Sequence, residues 1–390
     1  LKSRKLSRKR QRATIVTAAA ASVVAGAALL PNWSAGAAGV AADPKVDAST
    51  KATFQRLADA VFTDRTDALV DNGKSKRNTS RFSGDVRLSS TQSRAEKSAL
   101  SQLESRKARL ATLGEKYRAG NTTVSLDRTQ LKGRHATVTV TETTTLTYDK
   151  AKADEPKTTG FQAHHELTFK ADHQGDWQLT GVRDTDDGVA VNQVATTPLV
   201  AAPKTADDGP PTATRSAITK NPAAKPKNLT ASGYDYKAMA AYAAKYWKTY
   251  NPAYPDFNGE GAGGDCTNFV SQSLKAGGWK HVPGYTNDFH NWFGTADIQS
   301  DSFIGVNEFS WFALSSKRVT SLANVYQLDI GDVLQMDFNK DGSKDHSMIV
   351  TYRSPQGVPY LSYHSTNTYN RSVASIIASY PNAAYYAYRT

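Results

Sequence analysis

One thiol and two histidines hold most of the chemistry that this chain of 390 residues can offer. Cys266 is the single cysteine and sits in the run Gly263-Gly264-Asp265-Cys266-Thr267-Asn268-Phe269-Val270. The glycines let the backbone turn sharply. Phe269, Val270 and Leu274 then recur at helical spacing, with Gly277-Gly278 closing the segment. Cys266 is therefore expected at or beside a helix N-terminus. Unpaired N–H groups and the positive end of the helix dipole favour a thiolate there. The thiolate is the attacking form of a nucleophilic cysteine, and the Cys266 N–H can serve an oxyanion hole. The same spacing has a plainer meaning. Cys266, Phe269, Val270 and Leu274 share one helical face, where a cysteine is a small buried hydrophobe. A lone cysteine forms no internal disulfide, so these two readings stand side by side.

His346 opens the run His346-Ser347-Met348-Ile349-Val350-Thr351-Tyr352. Its composition predicts a strand with His346, Met348 and Val350 on one face. A ring at the entrance of such a strand can reach a cleft and act as a base, although an isolated histidine there is more often structural. A base needs a third polar group to orient it. His364, in Leu361-Ser362-Tyr363-His364-Ser365, comes opposite His346 if the strands beginning at His346 and Tyr360 form a hairpin; Asn367 and Asp345 are the alternatives. Asp265 and Asn268 flank the thiol and are candidates to touch a substrate. Trp292 and Trp311, with Asp288 and His290, either line a cleft or are packing aromatics.

Asp337, Asn339, Asp341 and Asp345 stand at the first, third, fifth and ninth positions of a calcium-loop pattern, with Gly342 at the sixth. Calcium is thus the one metal the sequence offers, although the reaction itself requires no cofactor. Met348 holds the twelfth position, where a bidentate acid belongs, and the flanking segments read as strands. The plainer reading is a β-hairpin that turns on its glycine.

The elements that must position these groups divide the chain. Seven basic residues between Lys2 and Arg12 precede the first acid, Asp43. An Ala- and Val-rich apolar run and a small-residue stretch follow, the order of a secretory signal peptide over residues 1–42. An uncleaved anchor is the alternative, since the run is close to spanning length; with cleavage, no stable membrane insertion remains. The expected location is extracellular, with association to the cell wall. Removing seven charges from the net +12 leaves +5. That mild positive charge suits an anionic surface. No basic stripe with interleaved aromatics suggests nucleic acid.

Residues 46–192 read as a small α+β module, helices followed by an antiparallel sheet. The order loosely resembles cone-shaped nuclear-transport-factor-like or cystatin-like modules. His164 and His165 are adjacent on a predicted strand and so point to opposite faces, which makes them a poor chelating pair and implies surface histidines. Residues 193–232 are a Pro-, Ala- and Thr-rich linker. Residues 233–390 form a second α+β module. Tyrosine concentrates there, so the two halves are expected to fold separately.

The segment Asp265-Cys266-Thr267-Asn268-Phe269-Val270-Ser271-Gln272 resembles the nucleophile segment of the bacterial family called the putative amidase domain. Gly331-Asp332-Val333-Leu334-Gln335, Asp345-His346-Ser347-Met348-Ile349-Val350 and Tyr363-His364-Ser365-Thr366 resemble its second half. The order of these segments is also similar to that of NlpC-type and CHAP-type wall peptidases. The resemblance implies a papain-like domain in which a Cys-bearing helix packs on an antiparallel sheet carrying His. It implies a cysteine-dependent amide hydrolase, with Cys266 as nucleophile, His346 as base and His364 as third residue. Peptidoglycan peptides are the expected substrate by analogy of fold alone. Two alternatives stand beside this: a non-catalytic wall-binding scaffold, whose mark is a buried and unreactive Cys266, and an amidase for small secreted peptides.

Overall fold

The computed structural model describes residues 46–71, 87–186, 188, 190–194, 210–219, 225–258 and 264–390. The expected export segment lies outside these residues. Among the described residues no helix is long and apolar enough to cross a membrane.

The N-terminal module begins with α1 (Ala48–Asp67), capped by the Asp47 side chain, which accepts from Thr50 N. Phe54, Leu57, Ala58, Val61 and Phe62 are buried along it at helical spacing. The short β1 (Arg87–Leu88) leads into α2 (Ser90–Thr112), capped by Ser89. Four strands follow: β2 (Tyr117–Lys132), β3 (His135–Tyr148), β4 (Thr158–Ala171) and β5 (Trp177–Asp184). They pair antiparallel in sequence order. β3 alternates buried and half-buried positions almost without exception, the pattern of a strand with one face on a core. α1 covers that face, and Phe54, Phe62, Val138, Val140, Leu167, Phe169 and Trp177 fill the space between.

In the C-terminal module α3 (Tyr236–Tyr246) and α4 (Cys266–Ala276) precede two short helices, α5 (Asp301–Ile304) and α6 (Val306–Ser315). β6 (Thr320–Leu322), β7 (Val333–Asp337), β8 (His346–Arg353), β9 (Pro359–Tyr363) and β10 (Thr368–Ser372) follow, then α7 (Val373–Ser379) and β11 (Ala384–Arg389). The sheet has two covered faces. Val333, Ile349, Tyr386 and Tyr388 meet Phe269, Val270 and Leu274 of α4 on one side. Leu334, Met336, Met348, Val350, Leu361 and Tyr363 meet α7 through Ile376 and Ile377 on the other.

The architecture is α+β, as the sequence implies, but the two halves do not fold apart. Thr368 and Tyr369 of β10 pair with Phe161 and Gly160 of β4, so one continuous sheet runs from β1 to β6 through both modules. Gly160 permits this approach: a Cβ there would sit 2.7 Å from the Thr144 carbonyl and from the Tyr369 ring. A single apolar cluster then joins Leu103, Leu110, Tyr117, Tyr148 and Phe161 to Tyr360, Ala374 and Ala378. Tyr148 Oη also donates to the Asn370 carbonyl, at 2.8 Å.

The described parts of the predicted linker are docked rather than free. Ser216 N donates to Tyr385 O, and its hydroxyl bridges Leu322 O and Ala387 N. Lys227 Nζ reaches Asp332 Oδ1 at 2.8 Å and lies 3.3 Å from the centre of the Tyr236 ring.

Candidate functional site

Cys266 is the first residue of α4, as its glycine-led entry implies. The helix start rests on β8: Thr267 Oγ1 lies 2.9 Å from Ser347 Oγ, which also accepts from Gln335 Nε2 at 3.0 Å. The thiol is only 3% exposed. Burial pushes it up to about 11, against the pull of the Ser347 N–H and of the Thr267 hydroxyl, which stands 3.8 Å from Sγ. A thiolate was expected from the helix terminus; desolvation outweighs that field, and the resting group is a thiol at neutral pH.

Asp265, just before α4, makes no side-chain cap to the helix backbone and turns one carboxylate oxygen toward His364. The Asp265 Oδ2 to His364 Nδ1 distance is 2.6 Å, and His364 Nε2 lies 2.8 Å from the Tyr246 carbonyl at the end of α3. Both partners are acceptors, so each can take an N–H from the ring. The ring is stacked between Phe269, at 4.1 Å, and Tyr250, at 4.3 Å. Asp265 Oδ1 accepts from Asn268 Nδ2 at 2.7 Å and from Phe257 N at 3.3 Å. Tyr250 Oη donates to Asn367 Oδ1 at 2.7 Å, which draws that residue into the same cluster. His364 is followed by two non-glycine residues at positive φ, Ser365 (60°) and Thr366 (66°). That conformation is costly for a β-branched side chain and concentrates at functional sites.

His346 lies elsewhere. It pairs with Met336 across β7 and shares a face with Met348, as its spacing predicts, but this face looks toward α7 and not toward α4. The ring meets Tyr363 edge-on at 4.9 Å and lines a small cavity with Met336, Ile376, Tyr380 and Arg371. Burial and the neighbouring Arg371 charge push it down to about 3. The hairpin of β8 and β9 does form, with Ile349 opposite Ser362 and Val350 opposite Leu361. Carried one step past β9, that register sets His364 opposite Ser347 rather than His346. One residue of register moves a side chain to the other face. Cys266, Asp265 and His364 thus come together on the α4 side of the sheet, and His346 stands on the far side. Among the described residues no hydrogen bond joins Cys266 Sγ to either histidine.

The remaining candidates are placed as follows. Trp292 is 0% exposed, and its Nε1–H donates to Ser271 Oγ, so it is a core residue and lines no cleft. Trp311 is half-buried against Phe289. Asn268 is buried, donating also to Pro255 O. Asp337 accepts from Lys340 N and Gly342 N, Asp341 from Ser343 N, and Asp345 from Phe338 N. The carboxylates of the calcium-like loop are turned onto its own backbone. Among the described residues no group of three acidic, histidine or cysteine side chains is placed to hold a metal.

Two contacts escaped the sequence reading: the Asp265–His364 pair, and the Ser347 N–H beside the thiol. Asp265 was visible only as a neighbour of Cys266, because nothing local shows which way a carboxylate before a helix will turn.

Residues 233–388 match the family described as Putative amidase domain, which points to an amidase-type hydrolase. Two Bacillus subtilis (strain 168) proteins are similar. Uncharacterized protein YhbB is 30% identical over 155 residues, covering 36% of this chain and 48% of YhbB. Uncharacterized protein YjcM is 31% identical over 148 residues, covering 35% of this chain and 32% of YjcM. The chain therefore spans about half the length of the first relative and about a third of the second. The intermembrane-space region of the chloroplast protein ARC6 aligns with 36% of this chain and 98% of its own at 16% identity. The TM-score is 0.23, too low to carry an argument on fold.

Proposed function

We propose that the chain is an exported cysteine-dependent amide hydrolase of papain-like type, acting on the peptides of peptidoglycan. Cys266 is the acyl acceptor, and the Asp265–His364 pair handles its proton. The observation that carries this reading is the 2.6 Å contact between His364 and the residue that immediately precedes the thiol at the start of α4. It supplies a nucleophile, an imidazole and an orienting carboxylate on one side of the sheet. His346, on the other side, is left out of the reaction.

In the working state the His364 ring leaves the Tyr246 carbonyl, gives its Nε2 proton to solvent, and as a neutral imidazole whose Nδ1–H stays on Asp265 takes the thiol proton at Nε2. Sγ attacks the amide carbonyl, the C–N bond breaks, and the imidazolium returns that proton to the leaving amine. Water then cleaves the thioester, giving the carboxylic acid and the free thiol. The Cys266 N–H at the helix start serves as an oxyanion donor.

One observation favours a second reading, a non-catalytic wall-binding scaffold: the thiol is buried, and among the described residues no hydrogen bond joins it to a histidine. The test is release of new amino groups from purified peptidoglycan under reducing conditions by the wild type, Cys266→Ala and His364→Gln. Release by the wild type alone upholds the proposal. Release that survives His364→Gln but not Cys266→Ala removes His364 from it. No release, with a thiol that iodoacetamide fails to label even near pH 10, upholds the scaffold. No release with a thiol that labels readily in the presence of the wall keeps the chemistry and discards the substrate.

A further inference from the structure

The N-terminal module holds a buried polar cluster of its own, between α1 and the sheet. His165 on β4 was expected at the surface and is 1% exposed. Its Nδ1 lies 3.0 Å from Asp184 Oδ1 and its Nε2 lies 3.2 Å from Glu142 Oε2. The ring stacks on Phe62 at 4.3 Å. Glu142, wholly buried, accepts from Thr144 Oγ1 at 2.6 Å. A chain of hydroxyls continues from Thr144 through Thr122 to Thr66, each step 2.7 Å.

Between α1 and the sheet the cluster is closed by a stretch of chain that follows β5. Asn192 inserts its carboxamide so that Nδ2 donates to Glu142 Oε1 at 2.7 Å and to Thr66 Oγ1 at 3.0 Å. Gln193 lays Nε2 at 3.1 and 3.3 Å from the two ring nitrogens of His165. Arg106 holds the stretch from outside by donating to the Val191 carbonyl.

The insertion fits only in part. Asn192 is 0% exposed, yet its Oδ1 has no partner among the described residues. Gln193 Oε1 accepts from Ala190 N at 2.9 Å, which fixes the amide with its NH2 toward ring nitrogens that already face carboxylates. A buried polar group without a partner is destabilising. The chain's own carboxamide therefore makes one good half of a contact, through its NH2, and leaves the carbonyl half unmade.

We propose that the interior of the N-terminal module is a binding site for a ligand bearing a primary carboxamide, and that Asn192 occupies it in the unliganded chain. Glu142 Oε1 and Thr66 Oγ1 take the two N–H hydrogens of the ligand. A free carboxamide is not tethered through Val191, so its carbonyl can turn to water. A carboxylate is refused by Glu142 and Asp184. Binding ejects residues 190–193, which lead into the linker, and so couples the site to the path of the chain between the modules.

The test uses the full chain, with acetamide as the probe. Asn192→Gly vacates the site, and its thermal midpoint should fall by several degrees. Acetamide should restore it saturably; acetone, acetate and methylammonium should not; adding Glu142→Gln should abolish the response. If Asn192→Gly does not fold, Asn192→Ser takes the same titration. In the wild type, acetamide should speed amide hydrogen exchange at residues 190–193 at least twofold. Equal rescue by acetone or methylammonium overturns the carboxamide assignment. No rescue overturns the site. Rescue of the variant without faster exchange in the wild type makes Asn192 a structural side chain and overturns the ligand.

Discussion

The two modules each bury a histidine in nearly the same dress. His165 stacks on Phe62 at 4.3 Å and faces Asp184 and Glu142; His364 stacks on Phe269 at 4.1 Å and faces Asp265 and a backbone carbonyl. An aromatic stack with a carboxylate is therefore a way of burying an imidazole and not by itself a mark of catalysis. What separates the two is the next neighbour. His364 has a thiol one residue from its carboxylate, on a helix that packs on the same sheet face. His165 has the Gln193 carboxamide at its ring and the Asn192 carboxamide on its partner Glu142. A third histidine completes the contrast: His346 is buried against Met336, Met348 and Tyr363, shows no ring hydrogen bond among the described residues, and is pushed down to about 3.

The largest expected effect breaks the comparison at its root, because the two histidines share one folded body. Cutting the chain to residues 234–390 strips Tyr360, Ala374 and Ala378 of Tyr148, Phe161 and Leu110, and bares the β10 edge. Each buried large apolar side chain is worth about 1.5–3 kcal/mol, and an open edge invites aggregation. The fragment should be insoluble or should lack a cooperative melt. A soluble fragment with a sharp transition would show that the C-terminal module needs nothing from its partner.

Next in size is the division of labour. His364→Ala should lower amine release by about 10²–10⁴-fold, the usual worth of a proton-transfer group. His165→Ala should leave the specific activity of the folded fraction within about twofold. It should instead cost about 3 kcal/mol of stability by taking from buried Glu142 and from Asp184 the ring hydrogen bonds that partner them, with the Arg65 charge left near both. Denaturant melts and initial rates on the same preparations separate the two outcomes. Equal losses of activity would mean that the dress, and not the thiol, is what matters.

How much of this contrast could be read from the sequence follows from what each feature depends on. Local signals were sufficient for α4: the glycines, the apolar spacing and the closing Gly277-Gly278 predict its start and end to within a residue. β3 is legible as a strand because its alternation is nearly unbroken. β2 is hard to read locally, since its faces are mostly exposed and half-exposed and carry little apolar alternation. The placement of His346 turned on register. The strand and the hairpin were legible, but which of Ser347 and His346 stands opposite His364 depends on a single step of pairing that no local pattern encodes. His165 was misread for a related reason. Adjacent residues do point to opposite faces, and the face His165 takes is the covered one, where β4 alternates buried and half-buried positions. That residues 190–193 return to cover it is a long-range fact.

A smaller effect sharpens the comparison through pH. Burial opposes the charge on His165, but the hydrogen bonds to Asp184 and Glu142 outweigh it and hold the group above its usual value of 6.5. A raised value in the folded chain means that its stabilisation is complete below 6.5 and fades as pH rises through the folded value. The alkaline limb of the stability profile should therefore steepen above neutrality in the wild type and flatten in His165→Gln. An alkaline limb that His165→Gln leaves unchanged would show that the ring does not carry its proton in the folded module.

The smallest expected effect concerns His346, and it runs with the opposite sign. Burial, with Arg371 beside it, pushes this histidine down to about 3, so the folded chain holds it neutral while the unfolded chain protonates near 6.5. Its contribution is complete above 6.5 and is lost as pH falls from there toward 3. His346→Leu, which fills the same apolar surroundings of Met336, Met348 and Tyr363, should leave stability at pH 7.5 within about 1 kcal/mol. It should also soften the acid limb and leave amine release within about twofold. Rates measured beside His364→Ala decide the matter. If His346→Leu is as inactive as Cys266→Ala while melting normally, the ring on the α7 side reaches the thiol in a state the resting fold does not display, and His346 is the base. If it keeps the wild-type rate, the sheet is a true partition: reaction on the α4 face, and on the other face a histidine whose only measurable signature is acid sensitivity.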